Sequence, residues 1–71
     1  MKTYAEIGAN IREARLDKRM TQKELAKAVG FDEKVGDAYI RKVESGQRHP
    51  PFEKLRLFHA ALDLPYEDLI P

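Results

Sequence analysis

The sequence predicts an all-α domain. Three observations carry this reading. Apolar residues recur at three- and four-residue spacing, strand-like alternation is absent, and helix start and stop residues punctuate the chain at short intervals. Seventy-one residues suffice for one domain, spanning 1–71. With 42% hydrophobic residues the chain can fold, and its core is small enough for stability to be marginal.

Each element follows from local chemistry. Thr3 and Glu6 have the spacing of a capping box, in which hydroxyl and carboxylate each cover a free N–H at a helix start. A first helix is predicted from about Tyr4 to Lys18, with Ile7, Ile11 and Ala14 on one side. Thr21 and Glu24 repeat the box, so a short second helix runs through Leu25 and Ala28 to Val29 and stops at Gly30. Phe31 to Gly36 reads as a connection. Asp37 opens a third helix, Ala38 to Glu44, with Ile40 and Val43 inward and Gly46 at its end. Pro51 suits the first turn of a fourth helix, about Phe52 to Leu62, whose core stripe is Phe52, Leu55, Phe58 and Leu62. Pro65 opens a last short helix, Tyr66 to Ile70. The expectation is five helices in a compact bundle.

Composition excludes several classes. There is no cysteine, and hence no disulfide or thiolate metal site. Residues Met1 to Ile11 carry Lys2 and Glu6 and do not read as a signal peptide, and no run approaches a membrane span, so the expected compartment is the cytoplasm. The net charge of +1 says little by itself. Its distribution says more: Lys34, Arg41, Lys42, Arg48 and His49 fall mid-chain, whereas Asp63, Glu67 and Asp68 fall near the end. His49 and His59 have no metal-ligand spacing, and neither a serine–histidine nor a paired-carboxylate arrangement is visible. No cofactor, no metal and no enzymatic activity are expected.

Two short helices joined by a connection, over about 21–46, suggest a helix-turn-helix. The letters are more specific than the pattern. Met20-Thr21-Gln22-Lys23-Glu24-Leu25-Ala26 resembles the start of helix two in the Cro/CI-type (Xre, lambda-repressor-like) helix-turn-helix family. Ala38-Tyr39-Ile40-Arg41-Lys42-Val43-Glu44-Ser45-Gly46 resembles that family's recognition helix, and Arg48-His49-Pro50 the loop after it. Phe52-Glu53-Lys54-Leu55 and Ala61-Leu62 resemble helix four. The resemblance covers about Ile7 to Leu69. It implies a sequence-specific double-stranded DNA-binding regulator, a repressor, reading the major groove with helix three (about 37–45).

The resemblance also assigns residues. Asp37, Ala38, Arg41 and Lys42 would face base edges, Ala38 either touching a thymine methyl or simply keeping the helix close to the groove, and Asp37 either toward a cytosine amino group or serving only as a helix cap. Thr21, Gln22, Lys34, Tyr39, Ser45 and Arg48 would approach phosphates, with Tyr39 alternatively packing on the connection. Arg15 and Glu44 match positions that pair helix one to helix three. A palindromic operator and a homodimer are expected, with Leu57, Leu64, Tyr66 and Ile70 as an interface, unless the last helix folds back and covers Leu57. The alternative is a protein-interaction module, such as the antitoxin partner of a toxin.

Two departures from the family stand out. Phe31-Asp32-Glu33-Lys34 lengthens the connection by about four residues against usual loop lengths. Arg19 stands where the family favours glycine after helix one.

Overall fold

A computed structural model describes all residues, 1–71. It contains helices α1 (Tyr4–Asp17), α2 (Gln22–Ala28), α3 (Gly36–Glu44) and α4 (Leu55–Leu62), with two 3-10 turns, Phe52–Lys54 and Tyr66–Asp68, and no strand. The count therefore differs from five helices: the last element is a single 3-10 turn. No helix is long and apolar enough to cross a membrane.

Both capping boxes form. Thr3 Oγ1 accepts from the Glu6 N–H at 3.1 Å while the Glu6 carboxylate accepts from the Thr3 N–H at 2.9 Å. Thr21 and Glu24 repeat this at 3.0 and 2.8 Å. The helix ends are equally specific. After α1, Arg19 N–H donates to Leu16 and Met20 N–H to Arg15, the paired bonds of a Schellman motif. The motif needs a left-handed residue, and Arg19 adopts φ 57° there. The turn that glycine usually makes is thus kept with a side chain in place, at a backbone cost of about 1 kcal/mol. Gly30 (φ 81°) and Gly46 (φ 84°) make the same turn after α2 and α3 without that cost.

Ile7 and Ile11 of α1, Leu25, Ala26 and Val29 at α2, Ile40 and Val43 of α3, and Leu55, Phe58 and Leu62 of α4 meet in one core, which Leu69 completes from the C-terminal segment. Gly8 lets α1 lie directly on the C-terminal end of α3: a Cβ there would clash with the carbonyl oxygens of Val43 and Glu44. The last residues fold back. Leu69 is fully buried, Asn10 Nδ2 donates to the Asp68 carbonyl at 3.2 Å, and the His49 ring nitrogen Nε2 lies 2.8 Å from the Leu69 carbonyl.

Two expectations change here. Phe52 is not a core residue but 87% exposed. It lies in the 3-10 turn that leads the chain in from Pro51, while the preceding Pro50 is fully buried and occupies the interior at that end. The third helix begins at Gly36, one residue before Asp37, because the connection ends in its own turn. The Asp32 carbonyl accepts from the N–H groups of Val35 (3.2 Å) and Gly36 (2.7 Å), and Asp32 Oδ1 accepts from Lys34 N–H (2.8 Å).

Candidate nucleic-acid interface

Helix α3 has two different faces. Ile40 and Val43 are fully buried, and Glu44 is buried with them. The outward positions are Asp37 and Ala38, both half-buried, and Arg41 and Lys42, both exposed. Neither Arg41 nor Lys42 forms an ion pair within the chain. Asp37 lies inside the first turn, and its Oδ1 accepts from the Ala38 N–H at 2.9 Å. That carboxylate therefore covers a helix-start N–H at the outward end of α3.

The inward side is fixed by an ionic network. Arg15 Nε donates to Glu44 Oε2 at 2.6 Å and its second terminal nitrogen to Oε1 at 3.1 Å, a two-pronged pair between α1 and α3. The other terminal nitrogen donates to the Met20 carbonyl at 2.7 Å, which ties the end of α1 into the same site. Gln22 joins it too: its Nε2 donates to Glu44 Oε1 at 3.1 Å. The first residue of α2 is thereby held against the end of α3, and one N–H of its amide remains free. Arg12 Nε stands 4.0 Å from the same oxygen. No buried side-chain nitrogen or oxygen in the molecule lacks a partner.

The long connection is ordered by aromatic packing. The Phe31 and Tyr39 rings stack at 4.3 Å, and Lys54 Nζ lies 5.2 Å from the Phe31 ring centre. The Tyr39 hydroxyl donates to the His49 carbonyl at 3.3 Å, so its proton is engaged within the chain. Burial raises the pKa of that hydroxyl, with Glu53 adding to the rise and Arg48 opposing it. Tyr39 therefore packs on the connection and links it to the loop after α3.

Phe31, Lys34, Val35, Ala38, Tyr39, Lys42 and Arg48 line one open groove of about 360 Å³. The structure thus brings together five residues expected to meet DNA, Lys34, Ala38, Tyr39, Lys42 and Arg48, whereas Asp37 and Arg41 lie outside this groove. Its neighbour, about 220 Å³ and lined by Lys23, Glu24, Lys27, Phe31, Glu33 and Asp37 among others, carries both signs of charge. Thr21 is exposed, its hydroxyl oxygen engaged in the cap. Ser45 Oγ donates to the Lys42 carbonyl at 3.1 Å and receives Gln47 Nε2 at 2.9 Å.

The residues matched to the family occupy this arrangement in order, and the helix-turn-helix family profile matches residues 11–69. The chain belongs to the Cro/CI-type helix-turn-helix family. It is accordingly a DNA-binding helix-turn-helix domain. Forty-eight residues, 68% of this chain, are 52% identical to part of the Type II methyltransferase M1.ScrFI from Lactococcus lactis subsp. cremoris. The chain spans 12% of that enzyme's length, so the likeness concerns a segment of it. No solved structure matches.

The C-terminal residues are divided. Leu57 and Leu64 are half-buried and pack against the core of their own chain. Tyr66 and Ile70 are 44% and 43% exposed. Tyr66 stacks on His59 at 4.2 Å, and His59 Nδ1 lies 2.6 Å from the Leu64 carbonyl. Sequence reasoning missed two features, the link from Gln22 to Glu44 and the position of Val35; it offered Tyr39 packing on the connection as one of two alternatives without naming Phe31 as its partner. Val35, Ala38, Tyr39 and Lys42 have i, i+3, i+4, i+7 spacing, a pattern that begins two residues before Asp37, at the capping position of α3.

Proposed function

We propose that the chain is a sequence-specific regulator of transcription, a repressor, that binds a palindromic operator as a homodimer in the cytoplasm. The observation that carries this reading is the outward face of α3. Arg41 and Lys42 project there without intramolecular ion partners, Lys42 in one groove with Lys34 and Arg48 and Arg41 outside it, on a helix whose opposite face is locked to α1. A helix so held can enter a major groove about 12 Å wide without losing its angle. Arg41, Lys42, Ala38 and Asp37 are the proposed base-facing set. Thr21, Gln22, Lys34, Ser45 and Arg48 are the proposed phosphate set, with Gln22 using its remaining N–H. Arg15 and Glu44 position both sets and touch no DNA. In this reading Tyr39 acts through the connection it braces.

Dimerisation is proposed through Tyr66 and Ile70, with Leu64 beside them. One such domain spans too few base pairs to select a site by itself. Leu57 is already packed on its own core, so Ile70→Glu is the cleaner disruption.

A second reading is a protein-interaction module, for instance the partner of a toxin. Glu33 and Asp37 near the first turn of α3 favour it, since carboxylates there oppose a phosphate backbone. Duplex affinity as a function of salt separates the two. The DNA reading expects a steep linear fall of log affinity with log salt, with a slope reduced by about 1 in Lys34→Ala or Arg48→Ala. Flat salt dependence, with weak binding to every duplex, removes it.

A further inference from the structure

Within the reading of this chain as a duplex-binding domain, we propose that Val35, supplied by the lengthened connection, reads a base. Together with Ala38 it forms an apolar seat for the 5-methyl group of a thymine in the major groove.

Val35 is 58% exposed, an isopropyl group held out in water. It is the residue immediately before α3, at the capping position, and it gives the helix no side-chain cap. Helix starts favour serine, threonine, aspartate or asparagine, and valine is among the poorest choices there. Neither packing nor capping accounts for it. Its place is nevertheless well fixed by the two backbone bonds to the Asp32 carbonyl and the Asx turn at Lys34. A base-reading side chain needs such a rigid mount.

Its surroundings select the partner. Val35 lines one groove with Ala38, Tyr39 and Lys42 of α3 and with Lys34 and Arg48. Three cations and no carboxylate line that groove. The connection sorts its charges: Glu33 lines the neighbouring groove with Asp37, while Lys34 and Val35 face this one. An apolar spot framed by cations fits a polyanion that carries an apolar group. In the major groove of DNA the thymine methyl is that group, beside phosphates on either side. The lengthened connection therefore adds a reading position ahead of the recognition helix, one turn before Ala38.

The test uses the preferred duplex selected by the full chain from a random pool. Each thymine is replaced in turn by deoxyuridine, which lacks only the 5-methyl group, and affinity is measured for the unmodified protein, Val35→Ala and Val35→Thr. Burying one methyl group corresponds to about a four-fold change in affinity. The expected result is one position where deoxyuridine weakens the unmodified protein by about that factor. Val35→Ala should lose a similar factor on the thymine duplex and lose most of its sensitivity to the replacement at that position alone, Ala38 keeping the remainder. Val35→Thr, which keeps the shape, should fall between. Thermal unfolding should not fall in either variant, because the side chain lies outside the core, and Val35→Thr, a better helix start, should if anything raise it. Retained sensitivity to deoxyuridine at every position in Val35→Ala overturns the proposal, as does a duplex with no sensitive thymine. If no duplex is enriched at all, the DNA reading fails and this proposal with it, a result distinct from binding that ignores Val35.

Discussion

The two faces of α3 obey different rules. On the inner face every group has a partner: Ile40 and Val43 are fully buried, and Glu44 receives Arg15 and Gln22. On the outer face Arg41 and Lys42 have no ion-pair partner, and the apolar Val35 at the helix start is left in water. Burial satisfies one face and leaves the other available. The contrast teaches that the Arg15–Glu44 pair works by orienting α3, since a buried ion pair roughly breaks even in stability against a well-packed apolar substitute. What it secures is the angle at which the outer face is presented.

Changes that break this contrast should separate folding from binding. The largest effect is expected at Glu44→Ala, which strands the buried Arg15 guanidinium with only the Met20 carbonyl. Denaturant unfolding should show a loss of about 3–5 kcal/mol, a large share of the stability of a domain this size. Ile40→Ala, which only opens a cavity, should cost about 2–5 kcal/mol by the same measurement. Unchanged unfolding in Glu44→Ala would mean that the ionic network around Glu44 contributes nothing to the stability of the α1–α3 contact.

On the other face the expectation reverses. Lys42→Ala or Arg41→Ala should keep the unfolding midpoint within experimental scatter and weaken specific binding by about 1–3 kcal/mol if that residue reads a base. Titration of one preferred duplex against several altered duplexes would show it. Equal affinity of both variants for all duplexes would take α3 out of the interface.

Smaller effects sharpen the account of the helix ends. Arg19→Gly should stabilise the domain by up to about 1 kcal/mol, because it relieves a left-handed side-chain residue, as thermal unfolding can show. The capping carboxylates predict a pH dependence. Backbone N–H donation from Thr3 and Thr21, with a side-chain bond to each, holds Glu6 and Glu24 below the usual carboxylate range, and Lys18 does so for Asp63. A group with a depressed folded pKa contributes stability that is present above its unfolded pKa and is lost as pH falls through the folded one. Stability should therefore decline on the acid side of about pH 4.5, the ordinary value of a glutamate. Glu24→Gln should flatten part of that decline in a series of melts.

Much of this was legible in the sequence, for reasons that differ by residue. Thr3–Glu6 and Thr21–Glu24 are local signals whose geometry is set within four residues, and both helices start where the letters place them. Ile7, Ile11, Ile40 and Val43 follow helical periodicity and lie in the core. Phe52 has the same periodicity but is exposed, because a 3-10 turn and the buried Pro50 intervene, and periodicity cannot register that. The last element shortened to a 3-10 turn because its few residues are held by side contacts of Leu69 and Asp68 with the rest of the chain. The Gln22–Glu44 bond joins residues far apart in sequence, and only the fold brings them together. The lengthened connection was visible as extra letters, whereas its outcome depends on Asp32, Phe31 and Tyr39 acting jointly.

The central claim is that the outer face of α3 reads duplex DNA. Selection of bound duplexes from a random pool, run in parallel for the unmodified protein and Lys42→Ala, tests it most directly. The expected result is an enriched palindrome with half-sites about one helical turn, roughly 10 base pairs, apart, and a loss or change of preference at defined positions of each half-site in the variant. An unenriched pool, or the same palindrome with unchanged preferences from both proteins, would contradict the claim.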